Sequence, residues 1–131
     1  VCFSDRTLRL NKNLCVFNEH SKTLVFTEQE ALSTNTTEYL KIDFSIIHEN
    51  ILTELYQRNI QSVIIEGGRQ TLQSFIDLNL WDEARVFKGN SSLITGIKAP
   101  LLKYKASSEQ EVSEDVLTWY VNTSKILNCS K

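Results

Sequence analysis

The apolar and polar positions divide the chain into short extended runs and two helical stripes. Residues 1–3 are apolar and give way to Ser4-Asp5-Arg6, as at a strand end. Thr7-Leu8-Arg9-Leu10 alternates as a further extended segment before the turn-like Asn11-Lys12-Asn13. Residues 22–28 predict a strand centred on Leu24, Val25 and Phe26, and residues 39–43 a short edge strand, with a polar surface loop over residues 29–38. Ile47, Ile51 and Leu55 then recur every four positions, widened by Leu52 and Tyr56. That spacing predicts an amphipathic helix ending near Arg58-Asn59, with Ser45 as its N-cap. The unalternating run over residues 62–65 reads as a strand buried on both faces of a parallel sheet. Leu72, Phe75, Ile76 and Leu80 make a second helical stripe directly after Gly67-Gly68. Residues 82–87, 100–105 and 116–122 are the remaining strand candidates, the last two joined across acidic residues 108–115 as an antiparallel hairpin at a sheet edge. Helix, buried strand, helix and strand in the middle of the chain predict an α/β sheet with right-handed crossovers.

Composition keeps this picture and narrows it. The 131 residues are 41% hydrophobic and 23% charged, which suits one domain with a packed core. Fourteen basic residues against sixteen acidic ones leave a net charge of −2, so no basic excess points to nucleic acid or to an anionic membrane. The apolar runs are far too short for a membrane-spanning helix. The chain opens on Val1 and holds no methionine, so a piece of a longer protein is expected. No charged segment followed by a long apolar one marks its start as a signal peptide. Cys2, Cys15 and Cys129 are scattered and odd in number, and read as free thiols rather than disulfides or metal ligands. The glycosylation triplets at Asn35, Asn90, Asn122 and Asn128 read as chance products of a chain rich in Asn, Ser and Thr.

Chemistry concentrates where the run over residues 62–65 meets Glu66-Gly67-Gly68-Arg69. Ligands of open parallel sheets bind beyond the carboxyl ends of the strands. Two glycines there allow close backbone approach and positive φ. The free N–H groups of the next helix would make an anion pocket suited to a phosphate or pyrophosphate, with Glu66 orienting a polar substrate group. A tight turn with a helix-capping Glu is the plainer reading of the same residues. There is neither a GxGxxG fingerprint nor a Walker loop. Asp5 and Arg6, after the first strand, would line the same face of the sheet, although an Asp-Arg turn is more often solvated. His20 and His48 read as noncatalytic, Trp81 as a hydrophobic anchor before an acidic turn, and Trp119 and Tyr120 as one core-facing and one outward-facing ring. No Ser–His–Asp or Cys–His arrangement is present in the sequence.

Residues 62–86 (SVIIEGGRQTLQSFIDLNLWDEARV) resemble a family pattern: an apolar strand, Glu-Gly-Gly, a helix ending in Ser-Phe, then Leu-x-Asp-Glu. The pattern belongs to the reductase domain of the bifunctional riboflavin-biosynthesis deaminase/reductase. Residues 1–10 (VCFSDRTLRL) are similar to that domain's strand ending in Asp before an Arg-Leu segment, and Gly96-Ile97-Lys98-Ala99-Pro100 to its Gly-x-x-Ala-Pro region. The resemblance covers nearly the whole chain. It implies a dihydrofolate-reductase-like α/β fold, with a mixed, mainly parallel sheet flanked by helices and a C-terminal antiparallel hairpin. It implies NADPH-dependent reduction of 5-amino-6-(5-phosphoribosylamino)uracil to 5-amino-6-(5-phosphoribitylamino)uracil by a cytoplasmic homo-oligomer, the protein positioning two ligands.

Carried over residue by residue, the resemblance makes Glu66 a substrate contact, and Arg6, Gly68, Arg69, Gln70, Thr71, Leu72, Gln73 and Ser74 cofactor contacts. Many members carry a small residue or proline where this chain has Arg69. The family's opening strand of Lys-x-Ala-x-Ser-x-Asp-Gly type, with the helix and strand after it, has no counterpart here, nor has the zinc-binding deaminase domain. Residues 1–131 are therefore expected to be a partial reductase domain without zinc or deaminase activity. Because the absent strands lie inside the related sheet, the chain is expected to repack, to pair with another chain, or to bind ligands poorly. The rival from another class is a noncatalytic homologue that serves subunit assembly, with Trp119, Tyr120 and the late strands as contact surface.

Overall fold

A computed structural model describes residues 1–18, 20–92 and 94–126. They form two compact units, Val1–Val63 and Ile64–Lys131. In the first unit β1 (Cys2–Ser4), β2 (Thr23–Thr27) and β3 (Thr37–Lys41) make a parallel sheet in the order β1-β2-β3. Its register sets Phe3 beside Val25 and Val25 beside Tyr39. The central strand β2 is the one buried on both faces. Val25 and Phe26 are 0% and 1% exposed, and the flanking Thr23 and Thr27 are equally enclosed. The two threonines are tolerated because each hydroxyl donates to a main-chain oxygen, that of Val16 and of Arg6 respectively.

After β3 the chain makes a 3-10 turn (Phe44–Ile46) and enters α1 (Ile47–Gln57), which buries Leu55. Asp43, not the predicted Ser45, is the capping residue, and its carboxylate accepts the Ser45 N–H at 2.8 Å. The extra 3-10 turn moves the start of the helical segment back to the residue with extended backbone, so the cap moves with it. At the other end Asn59 turns the chain out of α1 with φ 58°. Arg58 ties α1 to β3 there. Its guanidinium donates to both Glu38 oxygens at 2.9 and 2.7 Å and to Glu54 at 2.8 Å.

The second unit contains α2 (Arg69–Asp77), β4 (Glu83–Lys88), β5 (Ser108–Val112), β6 (Asp115–Val121) and the short α3 (Thr123–Ile126). Its strands form an antiparallel sheet in the order β4-β6-β5. Phe75 of α2 and Leu117 of β6 are buried, and Trp81 meets Tyr104 edge to face at 4.7 Å. Asn122 is only 2% exposed, and its amide donates to Asn79 Oδ1 and to the Trp81 carbonyl. The triplet at Asn122 is thus a structural joint. Cys2 and Cys15 are free thiols, and Cys129 lies outside the described residues.

Three expectations require correction. Residues 62–68 do not form a strand. Val63 and Ile64 are 39% and 83% exposed, and no backbone group of residues 61–67 is hydrogen-bonded among the described residues. An apolar β-branched run becomes a buried strand only beside neighbouring strands, and neither three-stranded sheet extends to it. Residues 100–105 are not a strand either. The strand before the hairpin turn is Ser108–Val112, within the region read as an acidic loop, and all five of its residues are exposed. It pairs with β6 through a turn at Ser113-Glu114, where Ser113 takes φ 55°. Residues 7–10 form a turn rather than an extension of β1, with Leu8 at φ 53°.

Candidate functional site

Three parallel strands leave their carboxyl ends on one edge of the first unit. Asp5-Arg6 follows β1, Glu28 follows β2, and Ile42-Asp43-Phe44 follows β3. Asp5 is 7% exposed, and its carboxylate accepts the N–H groups of Arg9 at 3.0 Å and Leu10 at 2.9 Å. It therefore closes residues 5–10 into a loop and is a structural residue, not a solvated turn. The Arg6 carbonyl accepts from the Glu28 N–H and from the Thr27 hydroxyl, each at 3.1 Å, so the Arg6 backbone is held from two directions.

The Arg6 side chain extends outward from that clamp. Its Nε donates to Glu28 Oε2 at 2.8 Å, and its guanidinium carbon lies 5.8 Å from the centre of the Phe44 ring. Both Nη nitrogens lack a hydrogen-bond partner among the described residues. The Glu28 carboxylate pushes the Arg6 pKa further up, keeping the group cationic. Close by, Asp43 is held below the ordinary carboxyl value by hydrogen bonds from the Ser45 N–H and hydroxyl. Sequence reasoning reached Arg6 and missed Glu28 and Phe44. An acid at the end of the following strand, 22 residues beyond Arg6, was the available signal for Glu28.

In the second unit, Glu66 is exposed, and Gly68 stands as the N-cap of α2 with no side-chain capping bond. Among the described residues the N–H groups of Arg69, Gln70 and Thr71 have no acceptor, and the Gly68 carbonyl takes the Leu72 N–H at 3.2 Å. No glycine here has positive φ, contrary to the conformational freedom expected of the pair. Gly67 is required for another reason. A Cβ on it would lie 2.7 Å from Thr71 Cβ, whereas one on Gly68 would meet nothing within 4 Å. The open side of the helix start is thus at Gly68, with Arg69, Gln70 and Thr71 exposed around it.

The other positions of α2 are differently engaged. Gln73 accepts the Leu101 N–H at 2.7 Å and donates to the Leu101 carbonyl and to Asp77. Ser74 donates to the Thr71 carbonyl at 2.7 Å, and Leu72 is half-buried. Glu66, Gly68 and Arg69–Thr71 form one open cluster, and Arg6 with Glu28 and Phe44 another in its own unit. Among the described residues no three His, Cys, Asp or Glu side chains group as metal ligands, and no helix is long and apolar enough to cross a membrane.

Residues 3–119 match the RibD C-terminal domain. The chain belongs to this family. Solved structures place the RibD C-terminal domain fold more exactly. The chain is similar to a Thermotoga maritima diaminohydroxyphosphoribosylaminopyrimidine deaminase/5-amino-6-(5-phosphoribosylamino)uracil reductase, at 28% identity and a TM-score of 0.76 over 90% of its length. It spans 36% of that protein. It also shares its fold with the Saccharomyces cerevisiae riboflavin biosynthesis reductase Rib7, at 14% identity and a TM-score of 0.70, covering 92% of this chain and 67% of that one. No curated protein sequence matches it. The architecture is the dihydrofolate-reductase-like α/β fold of RibD reductases, but in this chain the parallel strands make one three-stranded sheet and the antiparallel strands a second, not the single mixed sheet expected.

Proposed function

We propose that this chain carries the reductase step of riboflavin biosynthesis, the NADPH-dependent reduction of 5-amino-6-(5-phosphoribosylamino)uracil to its ribityl product, as part of a larger cytoplasmic, homo-oligomeric parent protein. The observation that carries the reading is the RibD C-terminal domain match over residues 3–119. Each unit by itself presents a feature suited to an anion: in the first unit a cationic guanidinium lies at the carboxyl edge of a parallel sheet, and in the second an uncapped helix start opens beside Gly68.

The bound dinucleotide would supply the hydride. The N–H groups of Arg69, Gln70 and Thr71 would hold phosphate oxygens, and Arg6 would supply a positive contact in its own unit. Leu72, Gln73 and Ser74 would shape the helix behind those donors, with Gln73 anchoring it to Leu101. Glu66 is exposed at the end of the apolar run, and its carboxylate would accept a substrate hydroxyl or N–H group. Positioning two ligands in this way is the protein's contribution to such a reduction.

The test is loss of reduced-nicotinamide absorbance when the chain is mixed with NADPH and the phosphoribosylaminouracil. Substrate-dependent oxidation that is lost in Glu66→Gln is expected, and oxidation at the background rate would overturn the proposal. A second reading, a subunit-assembly module, draws on residues 61–67, whose backbone has no hydrogen-bond partner among the described residues. Sedimentation separates it: stable self-association without any nicotinamide binding is the outcome that favours assembly.

A further inference from the structure

We infer that a second copy of this chain docks along the free edge of the second unit's sheet, with Lys103 and Lys105 of each copy set against Glu111 and Glu109 of the other. The inference rests on the homo-oligomeric part of the reading above and names its contact surface.

Charge is segregated in this stretch of the chain. Residues 84–108 carry Arg85, Lys88, Lys98, Lys103 and Lys105 without one acid, and residues 109–115 carry Glu109, Glu111, Glu114 and Asp115 without one cation. The boundary falls where residues 101–107 run into β5, an edge strand of the β4-β6-β5 sheet. All five residues of β5 are exposed, and no strand pairs beyond it among the described residues. Leu101, Lys103 and Lys105 are exposed in alternation with half-buried Leu102, Tyr104 and Ala106. The segment is held in place. Gln73 bonds Leu101 in both directions, Tyr104 meets the Trp81 ring, and the Ser107 N–H donates to the Trp119 carbonyl at 2.8 Å. Among the described residues neither lysine has an ion pair, nor has Glu111, and Glu109 accepts only a 3.3 Å bond from the Thr118 hydroxyl.

The spacing makes this segment complementary to itself. Lys105 and Glu109 each lie two residues from Ser107, and Lys103 and Glu111 each lie four. A two-fold axis at Ser107 therefore sets Lys105 against Glu109 and Lys103 against Glu111 on both sides of the axis, with Leu102 against Val112 as an apolar pair. Within one copy an extended chain holds Lys105 and Glu109 up to ~13 Å apart, too far to pair. An axis at Gln110, inside β5, would set Glu109 against Glu111 and be repelled. Acids on a free edge keep like strands away. Here lysines at the matching spacing give those acids a partner. The chain bends at Tyr104 and Ser107, so the contact runs through side chains rather than one continuous ladder. Exposed pairs are individually weak, which makes the association weak, closed at two copies and sensitive to salt.

The experiment is sedimentation equilibrium of the whole chain at up to ~1 mM, in low and in high salt. Wild type is expected to dimerise at low salt, with a Kd about tenfold higher at high salt. The double variants Lys103→Glu/Lys105→Glu and Glu109→Lys/Glu111→Lys should each raise the low-salt Kd at least about tenfold, with far-UV circular dichroism unchanged. Mixed one to one, the two variants should pair with each other as tightly as wild type pairs with itself, because every reversed charge then meets a reversed partner. Rescue of that kind cannot come from variants that merely unfold. A mixture that stays monomeric would overturn the inference. If wild type dimerises and both reversals leave its Kd unchanged, the contact lies on another face, and this inference fails while the homo-oligomeric reading stands. A wild type that is monomeric at low salt sinks both, and leaves the reductase reading to its own assay.

Discussion

Arg58→Gln should loosen the first unit by an amount the geometry sets. Arg58 makes a two-pronged contact with Glu38 of β3 and a helical i,i+4 contact with Glu54. Its side chain is 31% exposed, against 44% for Glu38 and 29% for Glu54, so water screens all three. The helical pair is then worth about 0.3–0.5 kcal/mol and the two-pronged pair about 0.5–1 kcal/mol, for a total of about 0.8–1.5 kcal/mol at low salt. Both tryptophans lie in the second unit, so tryptophan fluorescence does not report on this loss. Amide exchange in β3 and α1 does, and protection there should fall about tenfold.

High salt should shrink that difference, because it is electrostatic in origin. The loss should also depend on pH. Arg58 holds the Glu38 carboxyl below its ordinary value of 4.5, so the folded chain binds fewer protons there than the unfolded chain. The stabilisation is complete above the unfolded value and disappears as pH falls through the lowered folded value. Arg58→Gln should flatten this acid limb. A loss that is indifferent to salt and pH, or no loss at low salt, would refute the reasoning.

Other substitutions separate neighbouring roles. Gly67→Ala should destabilise the start of α2 by about 1–2 kcal/mol, since the new methyl meets Thr71 Cβ at 2.7 Å, whereas Gly68→Ala should change it by less than about 0.5 kcal/mol. Equal exchange rates in the two variants would contradict that contrast. Asp5→Ala strands the Arg9 and Leu10 amides at a cost of about 1–3 kcal/mol, and limited proteolysis should cut residues 6–10 faster than in wild type. Asn122→Ala removes the amide that joins Asn79 to the Trp81 carbonyl. It should lower the urea midpoint followed by tryptophan fluorescence, by about 1–3 kcal/mol of stability.

Periodicity located α1, α2, β2 and β6 because each combines a regular apolar pattern with a surface to bury it against. It misread residues 62–68 because hydrophobicity reports a tendency to be buried and says nothing about whether neighbours exist. Conversely β5, Ser-Glu-Gln-Glu-Val, has no apolar pattern and is extended because β6 offers it a ladder of hydrogen bonds. Pairing of that kind has no local signature in sequence. The Glu-Gly-Gly turn was legible from residue types alone, although the need for Gly67 came from Thr71 and not from a left-handed backbone. Arg6 was legible through resemblance, while the Glu28 and Phe44 that hold it depend on strand register and became visible only with the sheet assembled.

The run Ser62-Val63-Ile64-Ile65, exposed at Ser62, Val63 and Ile64 and half-buried at Ile65, also bears on how this protein behaves in bulk. A β-branched segment free of proline and glycine is the kind of stretch that, once extended, stacks copy upon copy into cross-β ribbons. Glu66 follows it immediately, with Arg69 three positions later. In an in-register stack the Glu66 carboxylates would repeat every ~4.8 Å and repel one another. That carboxylate is a gatekeeper at the end of a sticky run. Screening it with salt shortens the time this protein stays dispersed, and replacing Ile64 with a charged residue lengthens it.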